Sequence, residues 1–276
     1  MEEATRKRLG GPWSVAVLSG RPGVGATLIT AASGALVDAA VGPVGQNVIL
    51  MDADLRTGGL TALLRGWTAG GGCVDGLAGF ALDTGSFHER SVQGRLQELR
   101  SPDGRVGDMC LLGLSTPGNP DLARLPDLPQ IMGRSVELLR ELAGCLLVDC
   151  GAGWGAQTLE VCSAVDFIAL IGGPKDRAGD ETRRLLDHLK EHGLLRKTIG
   201  YVRNLPDRGP HPDADAEPDN GPFPLRTFVD LPYDPHVAAA VRDGQLPDAE
   251  APFGAVLRQG MEALEPVLFR SGFDIY

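Results

Sequence analysis

An apolar run, WSVAVL at residues 13–18, stops at the glycine-rich turn SGRPGVGAT (19–27), which opens directly into the alanine-rich stretch TLITAASGALVDAA. No other feature constrains the chain as tightly as this strand–turn–helix junction. A continuous short apolar run reads as a buried strand. A turn rich in glycine follows such a strand where the backbone bends sharply or comes close to a ligand. Successive backbone N–H groups in the turn, with the partial positive charge of the helix start, face an anion such as a phosphate. Gly23 and Gly25 leave room for that approach, and Thr27 stands where a hydroxyl reaches a magnesium ion. A tight turn without any ligand would use the same residues, so this segment alone leaves both readings open.

Two further strands narrow the choice. NVILMDAD (47–54) ends in Asp52 and Asp54, and CLLVDC (145–150) carries Asp149 near its end. In doubly wound sheets ligands bind outside the carboxyl ends of the strands. Carboxylates at two such ends beside a glycine-rich loop suit a magnesium–nucleotide site, because Mg²⁺ prefers carboxylate oxygens, phosphate and water. Strand-end aspartates that cap the helices after them are the alternative. DMCLLGLST (108–116), FIALIGG (167–173), TIGYVRN (198–204) and RTFVDLPY (226–233) read as the remaining strands. IMGRSVELLRELA, DRAGDETRRLLDHLKEH and the C-terminal stretch from PHVAAAVRDG through FGAVLRQGMEALEPVLF read as helices. This alternation predicts an α/β fold in three layers, a mainly parallel sheet with helices on both faces. The expected organisation is a tail over 1–12 and a single domain over 13–276. LPDRGPHPDADAEPDNGPFP (205–224) is too polar to bury a core and is expected to be a mobile loop.

Charge and composition exclude other classes. The formal net charge of −10 opposes non-specific attraction to nucleic acid or to an anionic membrane, so the sequence carries no strong signal for either. The ArgLysArg run at 6–8 is read as a solvated tail. Cys73, Cys110, Cys145, Cys150 and Cys162 lack CxxC spacing and read as buried, reduced thiols. The histidines lack metal-ligand spacing, and His188 and His192, four residues apart, are read as a solvated helix face. No apolar run approaches the roughly 18–20 residues a bilayer requires, and the N-terminus lacks the apolar stretch of a signal peptide. The expectation is a cytoplasmic protein.

Taken in order, these motifs resemble the ParA/MinD branch of P-loop ATPases, whose deviant Walker A loop runs Lys-Gly-Gly-x-Gly-Lys-Thr. SGRPGVGAT matches that frame, VILMDADLRTGGL resembles the Asp-x-Asp strand that follows it, and LLVDCGAGWG resembles the Walker B strand. DLPYDPHVAAAVRDGQLP resembles the late Pro-x-Asp-Pro segment near the base, so the likeness runs from about Trp13 to Pro247. The resemblance implies that ATP or ADP binds with Mg²⁺. It implies nucleotide contacts from Arg21, Pro22, Gly23, Val24, Gly25, Ala26, Thr27 and Leu28, and on the base side from Arg203, Asn204, Pro232, Tyr233 and Asp234. It implies Thr27, Asp52 and Asp149 as metal contacts, Asp54 as the catalytic residue nearest an attacking water, and a homodimer.

The departures matter as much. Arg21 stands where the family's signature lysine reaches across a dimer, Pro22 replaces a glycine, and Ala26 stands where the P-loop lysine meets the β- and γ-phosphates. Arginine keeps a charge and a bidentate geometry. Alanine keeps nothing, and phosphoryl transfer depends on such charge. Arg early and Ala late in the loop resembles the CpaE/TadZ subgroup, with its septum-site-like proteins, which organise pilus-assembly or division machinery in space. Relatives end the base-side strand Val-Asn-Arg, whereas this chain reads Val202-Arg203-Asn204, so either residue, or neither, faces the base.

The expected function is therefore a dimerising, nucleotide-binding scaffold with weak or absent hydrolysis. Its expected partner is a protein of a localisation, pilus, secretion or division system, through which it could be recruited to the membrane or cell pole. A competent ATPase cycling on membrane or DNA is one alternative, opposed by Ala26, by the acidic charge and by a C-terminus, MEALEPVLFRSGFDIY, with one arginine and an internal proline. A pseudo-ATPase that binds no nucleotide is the other. Lys175, after FIALIGG, is the candidate for a relocated loop cation, although an exposed loop lysine is the plainer reading.

Overall fold

The apolar runs become strands where the sequence expects them: β1 (Trp13–Ser19), β2 (Val48–Asp52), β4 (Val106–Leu112), β5 (Cys145–Ala152), β6 (Phe167–Gly172), β7 (Thr198–Asn204) and β8 (Thr227–Leu231). A computed structural model describes residues 12–41, 47–68, 76–82, 92–100, 106–114, 122, 125–173, 179–205, 225 and 227–270. Residues 1–11 of the expected tail, Cys73, Lys175 and residues 206–224 of the expected loop over 205–224 lie outside them. One further strand, β3 (Gln97–Arg100), has no counterpart in the sequence reading. It is four residues long, alternates buried and exposed positions, and pairs antiparallel with β4 at the sheet edge. A short edge strand with a charged outer face lacks the apolar run that betrays its neighbours.

The strands make one sheet in the order β3–β4–β2–β5–β1–β6–β7–β8, and every pairing except β3–β4 is parallel. The helices are α1 (Ala26–Val41), α2 (Gly59–Leu63), α3 (Gly76–Leu82), α4 (Leu128–Leu142), α5 (Ala156–Ala164), α6 (Asp180–Glu191), α7 (Pro235–Arg242) and α8 (Pro252–Arg270). Because side chains alternate across a strand, β1 sends Ala16 and Leu18 to one face and Val15 and Val17 to the other. Strands β2, β5 and β6 do the same. The first face packs against α3, α4, α5 and α6, the second against α1, α2 and α8. This is the three-layer arrangement, and it explains why the central strands carry apolar residues on both faces. Each fully buried Leu, Ile or Val contributes roughly 1.5–3 kcal/mol. Cys145, Cys150 and Cys162 lie buried as free thiols within these layers, as the spacing implies, while free Cys110 is partly exposed.

One expectation about the helices needs correction. His188 and His192 do not merely face solvent, because Trp154 stacks on both, with ring centroids at 5.6 Å and 6.0 Å. The aromatic residue arrives from the loop after β5, a contact invisible in local periodicity. The C-terminal helix α8 runs through Pro266 to Arg270, as the sequence reading of FGAVLRQGMEALEPVLF expects. No helix among the described residues is long and apolar enough to cross a membrane.

Candidate functional site

The glycine-rich turn joins β1 to α1 at the carboxyl end of the sheet. Gly25 shows what the turn requires of its residues. Its φ of +93° favours glycine, and a Cβ there would lie 2.5 Å from Asn204 Nδ2. That amide nitrogen donates to the Val24 carbonyl at 2.9 Å, so the end of β7 braces the turn across the sheet. Gly20 is needed for a different reason: a Cβ on it would come within 2.8 Å of the Thr182 backbone nitrogen, at the first turn of α6. The Ser19 hydroxyl proton is shared between the carbonyls of Arg21 (3.0 Å) and Gly151 (3.1 Å), and Gly153 N–H donates back to the Ser19 carbonyl at 2.9 Å. The turn and the loop after β5 are thereby tied together.

The acids stand beside this turn. Asp52 and Asp149 are register partners on β2 and β5, both fully buried. Asp52 accepts from the Thr61 backbone N–H (2.8 Å) and hydroxyl (2.7 Å) and from Asp54 N–H (3.2 Å). Burial pushes the Asp52 carboxyl up to about 7 against those bonds, with the Asp149 charge adding to the rise. Burial likewise raises Asp149, while the Thr27 hydroxyl and the Gly151 N–H at 3.0 Å pull it down. One Asp149 oxygen, Oδ2, is buried with no hydrogen-bond partner. Buried carboxylates without partners are costly. The Thr27 hydroxyl and the two adjacent acids, one of them with an unsatisfied oxygen, are oxygen donors that fit a hard divalent cation.

The other residues named from the sequence fall as follows. Val24 and Ala26 are buried, and Ala26 packs into the core layer formed by α1. Arg21, Pro22 and Gly23 are exposed, and Thr27 and Leu28 are half-buried. Asp54 closes the turn over 55–57, accepting from the N–H groups of Arg56 and Thr57 and from the Thr57 hydroxyl. Gly151, with φ at +65°, leaves space for that carboxyl, since a Cβ would lie 2.5 Å from Asp54 Cγ. Arg203 is held by a two-pronged ion pair with Asp230 on β8. Asp234 caps α7 by accepting from His236 N–H at 2.9 Å, and its other oxygen is buried without a partner. Tyr233, beside it, is exposed.

The structure thus gathers the turn, Asp52, Asp54, Asp149 and Asn204 at one end of the sheet. The segment Pro232–Asp234, following β8, flanks them on the β7–β8 side. The sequence reading passed over Arg56, whose Nη2 donates to the Ala152 carbonyl at 3.2 Å. An exposed arginine in a turn has no local signature, although its place two residues after Asp54 was a usable signal.

The sequence matches no protein-family model and no curated protein. The fold, however, recurs among solved structures. A ParA family ATPase from Chlorobium tepidum TLS is similar at 15% identity and a TM-score of 0.71, over 90% of this chain and 97% of that one. The MinC:MinD cell division protein complex from Aquifex aeolicus gives 17% identity and a TM-score of 0.69, over 96% and 98%. Cobyrinic acid a,c-diamide synthase from Mycobacterium smegmatis, with bound ATP analog and magnesium, gives 17% and 0.64, over 95% and 96%. At these identities the likeness is one of fold, and the fold is the P-loop α/β fold of ParA/MinD ATPases.

Proposed function

We propose that this chain is a ParA/MinD-type nucleotide-binding protein that acts as a dimerising scaffold, holding Mg·ATP or Mg·ADP with weak or absent hydrolysis. The buried, unpartnered Asp149 oxygen beside the glycine-rich turn carries this reading, because a cation there satisfies what the protein leaves unsatisfied. Thr27, Asp149 and Asp52 are the residues that would hold Mg²⁺, which would neutralise phosphate charge. The turn from Arg21 to Leu28 would cradle the phosphates. Asn204, Pro232, Tyr233 and Asp234 would line the base side, with Arg203 bracing β7 against β8.

Weak hydrolysis follows from Ala26, whose side chain is buried and uncharged where charge would develop. Asp54, the family's catalytic position by resemblance, already serves its own turn here. A role through a protein partner is supported by a structural neighbour being a MinC:MinD complex. A CpaE/TadZ-like place in pilus, secretion or division systems, with recruitment to membrane or pole by that partner, rests on the Arg-early, Ala-late loop.

Equilibrium binding of a labelled ATP analogue, followed by a turnover assay, tests this function. The scaffold reading expects saturable binding with turnover near background. Brisk turnover would instead indicate a cycling ATPase, and no binding would indicate a pure interaction protein.

A further inference from the structure

We infer that Arg56 is the cation that reads the terminal phosphate of the bound nucleotide, supplying charge that the turn lacks at Ala26; this rests on the nucleotide reading above. Arg56 sits in the turn between β2 and α2, which Asp54 fixes through the N–H groups of Arg56 (3.2 Å) and Thr57 (3.3 Å). From there its side chain crosses to the loop after β5 and donates from Nη2 to the Ala152 carbonyl. Ala152 is the register partner of Ser19, the last residue of β1 before the glycine-rich turn. The charged head of Arg56 therefore lies at the root of the phosphate-binding turn, although its backbone belongs to another strand.

Its charge is available. Among the described residues no carboxylate pairs with Arg56, whereas Arg203, the arginine on the base side, is consumed by Asp230. A guanidinium has five donors in a planar fork, and one neutral carbonyl uses only one of them. The remaining fork matches two phosphate oxygens. A neutral anchor holds the group in place without cancelling its charge.

Direction follows from the sheet order. Arg56 arrives from the β2–β5 side, where Asp52 and Asp149 stand, while Asn204 and the Pro232–Asp234 segment belong to the β7–β8 side. With the base on the β7–β8 side, the phosphate chain runs toward Arg56, which meets its last phosphate. Arg56 is then a specificity residue, favouring a nucleoside triphosphate over a diphosphate.

Equilibrium titrations of a non-hydrolysable ATP analogue and of ADP, both with Mg²⁺, into wild type, Arg56→Gln, Arg56→Lys and Arg134→Gln test the inference. Glutamine keeps a neutral N–H donor without the charge or the fork, and Arg134→Gln makes the same charge change on exposed α4. Arg56→Gln is expected to weaken the triphosphate about tenfold or more and ADP by less than about threefold. Arg56→Lys, which keeps the charge without the fork, falls between, and Arg134→Gln matches wild type. Should Arg56→Gln fail to melt cooperatively, the Arg56→Lys ratio of the two affinities carries the test. Equal losses for both nucleotides, or none, overturn the role of Arg56 and leave the nucleotide reading standing. Failure of wild type to bind either nucleotide overturns that reading and this inference with it.

Discussion

Asp52 carries two consequences that can be measured. Its carboxyl is raised to about 7 by burial, against roughly 3.9 in an unfolded chain. The folded state thus holds the proton more tightly, and the resulting stability is fully present below about pH 4 and lost as pH rises through about 7. Urea melts of the nucleotide-free protein should show Asp52→Asn gaining on wild type between pH 5 and pH 8, and a constant difference would contradict the raised carboxyl. Added Mg²⁺ and nucleotide should shrink that gap, since a cation favours the charged form. The second residue is Ala26. A lysine there adds a charge-assisted contact worth roughly 1.5–3 kcal/mol, so Ala26→Lys should tighten ATP binding by about one to two decades. Its buried starting point makes a parallel melt necessary, and unchanged or weaker binding by a folded variant would contradict a vacated phosphate contact at Ala26. Asp52 and Asp149 were legible because each follows an unbroken apolar run, VILM and CLLV. Asn204 and Arg56 were not legible as partners of the turn and of Ala152, because 180 and 96 residues separate the contacting groups.

Elements depend on contacts of the same long-range kind. Gly20 reads in the sequence as loop freedom, yet it lets α6 sit against the root of the turn. Gly20→Ala should cost roughly 1–3 kcal/mol, because the atoms met at 2.8–3.0 Å are backbone and cannot rotate away. Denaturant midpoints check the cost, and weakened nucleotide binding should accompany it. Helix α5 ends at a cap that no pattern announces: Lys197 Nζ donates to the carbonyls of Cys162, Ser163 and Val165 at 3.3, 2.7 and 2.7 Å. Arg140 adds a bond to the Ala164 carbonyl at 2.8 Å. Lysine at a helix C-terminus satisfies orphan carbonyls and opposes the dipole. Lys197→Met should cost about 1 kcal/mol in urea melts and leave nucleotide affinity untouched, since Lys197 precedes β7 at the sheet end opposite the turn. Strands with apolar runs were visible in the sequence, whereas β3 was hidden by its charge and brevity. The Trp154 stack on α6 was hidden because neither partner signals the other.

At the scale of the whole molecule, the strand order explains why four distant motifs make one site. β1 lies between β5 and β6, and β2 lies beyond β5, so the turn, Asp149 and Asp52 become neighbours at one sheet end. The alternation of apolar strands and amphipathic helices predicted the layers, and the apolar character of both strand faces predicted the parallel core. Pairing order could not be read the same way, since the central strands are all apolar on both faces and no local feature selects a strand's neighbour. With an acidic net charge of −10, a phosphate bound at the proposed site would depend on local cations and on metal. Binding of a fluorescent ATP analogue, titrated with and without Mg²⁺ into wild type and Asp149→Asn, is therefore the most direct test of the central claim. Saturable one-to-one binding to wild type that weakens markedly without Mg²⁺, and that becomes indifferent to Mg²⁺ in Asp149→Asn, is the predicted result. Binding equally strong with and without the metal in both proteins, or absent throughout, would contradict it.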